Sequence, residues 1–171
     1  MLDDKLKDDI EFSVVVALGS NLLDPLVQII TAIDRLRSQF NTSFRASSVY
    51  RTAPISMQVA SEDFANAVVM FKTNCAALEL LVTLQTMEAD AGRQGQHGRN
   101  EARVLDLDII AYGDLLLDSD ELQIPHPRAH QRQFVMVPLA EICPSFRFAG
   151  RDQSLEELIA QASVARVEKW L

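Results

Sequence analysis

Two aspartates separated by one residue lie within an apolar segment that reads Leu105-Asp-Leu-Asp-Ile-Ile110. On a β-strand, side chains two residues apart project from the same face, so Asp106 and Asp108 would point to one side. Two carboxylates placed in this way repel each other, and a divalent cation would compensate for the repulsion. The pattern by itself fits a metal site and a strand with a solvated acidic face equally well.

A cationic loop leads into this strand. Residues 93–103 contain one carboxylate, Glu101, and four basic side chains, which are Arg93, His97, Arg99 and Arg103. Planar guanidinium groups bind phosphate oxygens through paired hydrogen bonds. Arginines for the phosphate oxygens and carboxylates for a metal are the components of a metal–polyphosphate site. The alternative interpretation is a solvated, flexible loop.

A second basic segment lies further along the chain. Residues 125–132 read Pro-His-Pro-Arg-Ala-His-Gln-Arg, and together with His97 they hold all three histidines of the chain. No pair of these histidines has the sequence context of a zinc site. His126 and Arg132 fit as further phosphate contacts, although the segment taken alone is more typical of a surface turn.

The composition is that of a globular chain and restricts the partners it can have. The 171 residues are 48% apolar and 23% charged, with a net charge of −8, which is typical of one folded domain. Such acidity disfavours a general nucleic-acid binder or a protein held at anionic membranes. The first ten residues are too acidic for a signal peptide, and no apolar run reaches the roughly 20 residues of a membrane span. The expectation is a cytoplasmic monomer.

The elements that would position these residues follow from the hydrophobic periodicity. It predicts two helices, at 25–40 and 76–91, and four strands, at 12–18, 44–51, 64–72 and 104–112. Their order is that of a ferredoxin-like βαββαβ core, an α+β fold with a mostly antiparallel sheet. A turn is expected at 19–21, and the long connections at 52–63 and 93–103 are expected to be functional loops.

The rest of the chain adds a tail and a leader to this core. The tail is expected to hold a short strand at 146–148 and a final helix that opens with the capping box Ser154-Leu-Glu-Glu157. Residues 1–11 are predicted to form a flexible leader, and residues 12–171 a single domain.

Five short motifs occur in order along the chain. They are Ala17-Leu-Gly-Ser-Asn21, Ser47-Ser-Val-Tyr-Arg-Thr52, Asp63-Phe-Ala-Asn-Ala-Val68, Arg99-Asn-Glu-Ala-Arg-Val-Leu-Asp-Leu-Asp108 and Pro125-His-Pro-Arg128. Together they resemble the 6-hydroxymethyl-7,8-dihydropterin pyrophosphokinase family over about residues 12–150. The resemblance implies a folate-pathway enzyme that transfers pyrophosphate from ATP to the pterin hydroxymethyl group and releases AMP.

The resemblance also implies a set of site residues. Two Mg²⁺ ions would be held by Asp106 and Asp108. The ATP triphosphate would be bound by Arg93, Arg103, His126 and Arg132, of which Arg93 and Arg103 act in catalysis. The nucleotide side would be lined by Gln85 and Glu88. The pterin ring would lie between Phe64 and Phe134, with polar contacts from Asn66 and from residues Thr52 to Ile55.

The cationic loop departs from the family's pattern in three ways. Gly95 stands where some members carry an arginine, Asn100 replaces a tryptophan of some members, and Glu101-Ala102 replaces a small residue followed by proline. One alternative is therefore a divergent relative that binds pterin or nucleotide with little transfer. Another is a ferredoxin-like interaction module, which would leave the two aspartates unexplained.

Overall fold

The computed structural model describes residues 11–52, 63–92, 104–162 and 166–170. Within these ranges the elements follow one another as β1 (Phe12–Ser20), α1 (Pro25–Gln39), β2 (Arg45–Ala46), β3 (Tyr50–Thr52), β4 (Phe64–Thr73), α2 (Ala77–Asp90), β5 (Asp106–Tyr112), β6 (Leu117–Asp118), β7 (Gln123–Ile124), α3 (Gln133–Ile142), α4 (Leu155–Gln161) and β8 (Val167–Lys169). A 3₁₀ turn at Ala129–Gln131 connects β7 to α3.

The main sheet has the strand order β5–β1–β4–β3–β8, and β2 also pairs with β4. Every one of these pairings is antiparallel. The order β5–β1–β4–β3 is that of the ferredoxin-like fold, so the expected α+β class and its βαββαβ core are confirmed. Strands β6 and β7 form a separate hairpin beside β5.

Helices cover both faces of the main sheet. One face packs on α1 and α2 through a cluster that includes Val14, Val16 and Leu84. The other face packs on α3 and α4 through Val15, Val68 and Leu139, among others. Burial on both faces explains why β1 contains the continuous run Val14-Val-Val16 and not an alternation of apolar and polar residues. No helix in the described part of the chain is long and apolar enough to cross a membrane.

A β-bulge in β5 shapes one end of the sheet. Val16 pairs with Ile109 while Val15 pairs with Ala111, so Ile110 is an extra residue on β5. Ile110 and Ala111 therefore both face the α3–α4 cluster. The carbonyl oxygen of Ile110 accepts a hydrogen bond from the backbone N–H of His126 at 3.0 Å. The bulge thus attaches the basic segment at 125–132 to the strand of the two aspartates.

The predicted strand at 44–51 is wrong as a single element. It is divided into β2 and β3, because side chains replace backbone ladder partners at Ser47 and Ser48. The hydroxyl oxygen of Ser47 accepts the N–H of Val68, and the carboxylate of Glu141 accepts the N–H of Ser48. Both bonds join residues that are distant in the chain, so tertiary contacts interrupt the strand.

The tail also differs from the prediction in part. Residues 146–148 form no strand; Phe146 and Phe148 lie in consecutive turns, with their rings edge to face at a centroid distance of 5.1 Å. The last strand is β8 instead, and the hairpin of β6 and β7 had no clear periodic signal. The final helix is confirmed as α4, and Ser154 and Glu157 form the predicted capping box at its start.

Glu141 connects the helix layer to the sheet. Its carboxylate accepts hydrogen bonds from the Ser48 N–H and hydroxyl, from the Tyr50 hydroxyl and from the Lys169 ammonium, all between 2.9 and 3.0 Å. Although partial burial opposes ionisation, these donors lower the pKa of the Glu141 carboxyl. Burial and the hydrogen bond to Glu141 raise the pKa of Tyr50 to about 12.

Replacing Glu141 with alanine should lower the free energy of unfolding by about 1–2 kcal/mol near neutral pH, because a partly exposed acceptor of several hydrogen bonds is lost. The pKa in the folded state lies below that in the unfolded state. The contribution of Glu141 to the free energy of unfolding is therefore complete above the unfolded-state pKa of about 4.5, and it is lost as the pH falls through the folded-state pKa. Urea unfolding at several pH values checks this; a loss that does not shrink on acidification would contradict it.

Candidate active site

Asp106, Gly19 and Asn66 form one row across three neighbouring strands of the sheet, and the same register continues to Tyr50 and Lys169. The strand register pairs Asp106 with Gly19, Gly19 with Asn66, Asn66 with Tyr50, and Tyr50 with Lys169. Residues paired in this way share a face, and here it is the face covered by α3. Adjacent strands lie about 4.8 Å apart, so the backbones at Asp106 and Asn66 are about 10 Å apart. The row brings the predicted metal ligand and the predicted pterin contact to one surface.

Gly19 leaves the middle of this row without a side chain. A Cβ atom built on Gly19 would lie 3.5 Å from Oδ1 of Asn66, an ordinary contact distance. The prediction of a turn beginning at Gly19 is wrong, because β1 continues through Ser20. The glycine instead provides an open floor between Asp106 and Asn66, where a larger side chain would occupy the space of a ligand.

Asp106 and Asp108 lie on the predicted common face of β5. Both side chains are half-buried, while Leu105, Leu107 and Ile109 are buried against the opposite core. The N–H of Leu107, between the two aspartates, points away from β1 and donates to the buried carboxylate of Glu88 at 2.7 Å. Glu88 on α2 therefore supplies a hydrogen-bond acceptor to the edge of β5 that faces away from β1. This bond holds in place the strand that carries both aspartates.

His126 and Arg132 approach the same carboxylate. Nε2 of His126 and Nη1 of Arg132 each lie 3.9 Å from Oδ2 of Asp108, beyond hydrogen-bond length. Burial and the guanidinium groups of Arg132 and Arg128 lower the pKa of His126 to about 4, so the imidazole is neutral near pH 7. Nδ1 of His126 accepts the N–H of Arg128 at 3.1 Å. The ring proton is therefore on Nε2 and directed toward the carboxylate side.

The predicted pterin contacts lie at the other end of the row. Nδ2 of Asn66 donates to Oγ1 of Thr52 at 2.8 Å, and both residues are buried. Phe64 at the start of β4 and Phe134 at the start of α3 are half-buried, and neither belongs to the fully buried core. The guanidinium of Arg132 lies 5.6 Å from the centre of the Phe134 ring. Arg132 therefore contacts residues of both predicted subsites.

A cavity of about 620 Å³ opens beside Asp108. Its wall combines the outer side of β5, Leu81 of α2, the hairpin from Asp118 to Gln123, and His126 with Pro127. A cavity of this size accommodates a small organic molecule. The hairpin and Leu81 were not identified from the sequence, where the acidic run Asp118-Ser-Asp-Glu121 looks like an ordinary surface turn.

The remaining predicted site residues lie on α2 or outside the described residues. Gln85 is exposed on α2, whereas Glu88 on the same helix is turned inward to β5. Arg93, Arg103 and Ile55 lie outside the described residues, as do the departures at Gly95, Asn100, Glu101 and Ala102. The structure thus brings together Asp106, Asp108, His126 and Arg132 at one end of the row, and Thr52 and Asn66 at the other.

The two aspartates suit magnesium in their chemistry. Mg²⁺ prefers oxygen ligands and is commonly held by one or two carboxylates, with phosphate oxygens and water completing the shell. In the described ranges no group of three or more His, Cys, Asp or Glu side chains forms a candidate metal site. A pair of carboxylates that shares its metal with a phosphorylated substrate fits this arrangement better than a metal site made of protein ligands alone.

Fold and sequence together define the class of the protein. It is an α+β protein with a ferredoxin-like sheet, and the sequence profile of the 7,8-dihydro-6-hydroxymethylpterin-pyrophosphokinase (HPPK) family matches residues 15–144. The chain belongs to this family. The expected resemblance is therefore confirmed, and with it the enzyme class, a pyrophosphokinase.

Two relatives are similar over most of the chain. It is 37% identical over 147 residues to the 2-amino-4-hydroxy-6-hydroxymethyldihydropteridine pyrophosphokinase of Haemophilus influenzae, covering 85% of this chain and 90% of the relative. It is 38% identical over 157 residues to the enzyme of the same name from Pseudomonas aeruginosa, covering 91% of this chain and 95% of that one.

Solved structures agree with the fold. The crystal structure of Plasmodium falciparum HPPK-DHPS A437G with pteroate matches with a TM-score of 0.67 at 14% identity. The match covers 93% of this chain but only 45% of the Plasmodium chain. At this level of identity the likeness concerns the architecture alone.

Proposed function

We propose that this protein transfers pyrophosphate from ATP to the hydroxymethyl group of 6-hydroxymethyl-7,8-dihydropterin in folate biosynthesis. The pterin hydroxyl oxygen attacks the β-phosphorus, the bond from that phosphorus to the oxygen of the α-phosphate breaks, and AMP leaves while the hydroxyl loses its proton. The observation that carries this proposal is the row from Asp106 to Asn66. We assign its Asp106 end to metal and phosphate and its Asn66 end to the pterin, and the two ends lie about 10 Å apart on one face of the sheet.

The phosphate end is assigned to the carboxylates and their basic neighbours. Asp106 and Asp108 would hold two Mg²⁺ ions, which when bound neutralise phosphate charge and polarise the reacting phosphorus. His126, neutral and protonated on Nε2, would donate a hydrogen bond to a phosphate oxygen. Arg132 would add a fixed positive charge. Since this chemistry needs little covalent participation by the protein, positioning and charge neutralisation account for most of the catalysis.

The pterin end is assigned to Phe64, Phe134, Asn66 and the segment from Thr52 to Ile55. The bond from Nδ2 of Asn66 to Thr52 directs Oδ1 toward the floor at Gly19. An amide oxygen held there would accept a hydrogen bond from an N–H group of the pterin edge. The two half-buried phenylalanine rings would stack on the faces of the bicyclic ring.

The other predicted ATP contacts remain part of the proposal. Arg93 and Arg103 would bind the triphosphate and stabilise the charge that develops during transfer. Gln85 and Glu88 would serve the nucleotide side from α2, and the contact of Glu88 with Leu107 supports an action through the position of β5.

We further propose that the protein is a cytoplasmic monomer, with residues 1–11 as a leader and residues 12–171 as a single domain. One sheet whose strands extend from Phe12 to Lys169 supports a single domain. Coverage of both sheet faces by helices of the same chain supports a monomer. Light scattering on the purified protein tests the oligomeric state, and a mass near twice 19.1 kDa would contradict it.

A direct assay tests the activity. Purified protein is incubated with ATP, Mg²⁺ and 6-hydroxymethyl-7,8-dihydropterin, and the nucleotides are separated by chromatography. The expected result is AMP, formed only when the pterin is present. ADP in place of AMP would contradict transfer of pyrophosphate. Binding of both ligands without any product would instead support the divergent relative with little transfer.

Replacing Phe134 with alanine should raise the Kd for the pterin about 5- to 150-fold, since a stacked aromatic contact is worth roughly 1–3 kcal/mol. Phe146→Ala is a matched control, because Phe146 is half-buried against the same core cluster but follows the C-terminal end of α3, whereas Phe134 lies at its start. Calorimetry gives the Kd and thermal unfolding gives the stability. A large fall in Tm with unchanged pterin affinity would show that Phe134 only fills the core.

A further inference from the structure

The last strand of the chain completes the sheet next to the pterin end of the row. β8 pairs with β3, a strand of three residues that ends at Thr52. Thr52 stands opposite Val167 of β8 on one side and opposite Phe64 of β4 on the other. The N–H of Trp170 donates to the carbonyl of Val49 at 2.7 Å and extends the pairing. Without β8, β3 would be a very short edge strand.

Side-chain contacts connect β8 with β3 on both faces of the sheet. On the face covered by α3, Lys169 of β8 and Tyr50 of β3 donate to the same carboxylate, that of Glu141. On the opposite face, the guanidinium carbon of Arg51 lies 4.1 Å from the centre of the Trp170 ring, within the range of a cation–π contact.

Arg51 also contacts the start of β4. Its Nε lies 3.6 Å from Oδ2 of Asp63, the residue that precedes Phe64. Arg51, the residue that precedes Thr52, therefore connects Trp170 at the end of β8 with Asp63, the residue that precedes Phe64. Each contact is half-exposed, and such contacts contribute little to global stability when taken singly.

We propose that Arg51 and the C-terminal segment from Val167 to Trp170 are a positioning element for the pterin pocket. They fix Thr52, whose hydroxyl oxygen holds the Asn66 amide, and they fix the start of the strand that carries Phe64. Neither Arg51 nor Trp170 touches the substrate. The inference rests on the proposed function, because it takes Asn66 and Phe64 as pterin contacts.

The test compares the affinities for the two substrates. Pterin binding is measured by calorimetry with 6-hydroxymethylpterin, and nucleotide binding with an ATP analogue whose α,β-bridging oxygen is a methylene group. Arg51→Gln and Trp170→Leu should each raise the Kd for the pterin about five- to twentyfold. The Kd for the nucleotide analogue should stay within about twofold, since its contacts lie at the other end of the row.

The chain offers a matched control. The Arg37 guanidinium carbon lies 5.2 Å from the centre of the Phe44 ring, and Nη1 lies 3.0 Å from the Asp34 carboxylate, so its environment is of the same kind. Phe44 stacks near Phe71, which is five residues, or about 17 Å along β4, from Asn66. Arg37→Gln should change Tm about as much as Arg51→Gln and leave the pterin Kd unchanged.

A double-mutant cycle separates positioning from a general loss of stability. If Arg51 acts through Thr52, Arg51→Gln should weaken pterin binding far less in a Thr52→Val background than in the wild type. Additive effects, or equal losses for pterin and nucleotide, would overturn the proposal. If Arg51→Gln does not fold, Arg51→Lys and Trp170→Phe answer the same question. A wild-type protein that binds no pterin would instead contradict the proposed function itself.

Discussion

Replacing Asp106 or Asp108 with alanine should lower kcat for AMP release at least about 1000-fold and leave the fold intact. Each carboxylate supplies metal ligands at the point where phosphate charge must be neutralised, and loss of that stabilisation costs about 4 kcal/mol of transition-state free energy. Removal of one carboxylate also relieves repulsion between the two, so the stability of the metal-free protein should hold or rise slightly. Steady-state kinetics and thermal unfolding measure the two effects.

Asp114 provides the control for this experiment. It lies two residues beyond the end of β5 and is exposed, away from the row of residues that crosses the sheet. Asp114→Ala should keep the wild-type kcat, which would show that the loss of one negative charge near β5 is not sufficient to lower kcat. Full activity of either the Asp106 or the Asp108 variant at ordinary Mg²⁺ concentrations would rule out the metal assignment.

Replacing Gly19 with valine should lower kcat/KM at least about 100-fold while the protein stays folded. The backbone at Gly19 is that of an ordinary strand, which valine adopts readily. Its methyl groups would project onto the floor between Asp106 and Asn66, where the reacting groups of both substrates have to meet. A displacement of about 1 Å at the reacting atoms is enough for an effect of this size.

Gly19→Ala is a smaller substitution at the same position. Its Cβ would lie 3.5 Å from Oδ1 of Asn66 without a clash, so this variant should keep activity within about tenfold of the wild type. The series from glycine through alanine to valine should therefore show falling activity with nearly constant Tm. If Gly19→Val had wild-type kcat/KM, the open floor would have no role. If its Tm fell steeply, the effect would be structural.

Some features could be predicted because they depend on local periodicity. The alternation around Asp106 and Asp108 assigns each side chain to a face, and burial of Leu105, Leu107 and Ile109 agrees with it. The helical periodicity predicted α1 and α2 to within one residue at each end, and the capping box predicted the start of α4, since a cap is a local hydrogen bond. Family motifs then added the function, which periodicity alone could not supply.

Other features depend on partners that are distant in the chain. The division of the segment at 44–51 follows from Glu141, which lies over 90 residues away and replaces the ladder partner of Ser48. Phe146 and Phe148 have the composition of a strand, but turns and ring packing determine their conformation. Glu88 looks like a surface residue of a helix and is in fact the acceptor for Leu107.

The sequence by itself determined which residue types are present, that Asp106 and Asp108 share one face of a strand, and the order of the elements in the βαββαβ core. Only the tertiary structure decided that Asp106, Gly19 and Asn66 share one row and that Ile110 is the extra residue of a bulge that holds His126. The physical reason is the register between strands. A shift of one residue would move every side chain to the opposite face, and register is set by long-range packing and hydrogen bonds that no local pattern contains.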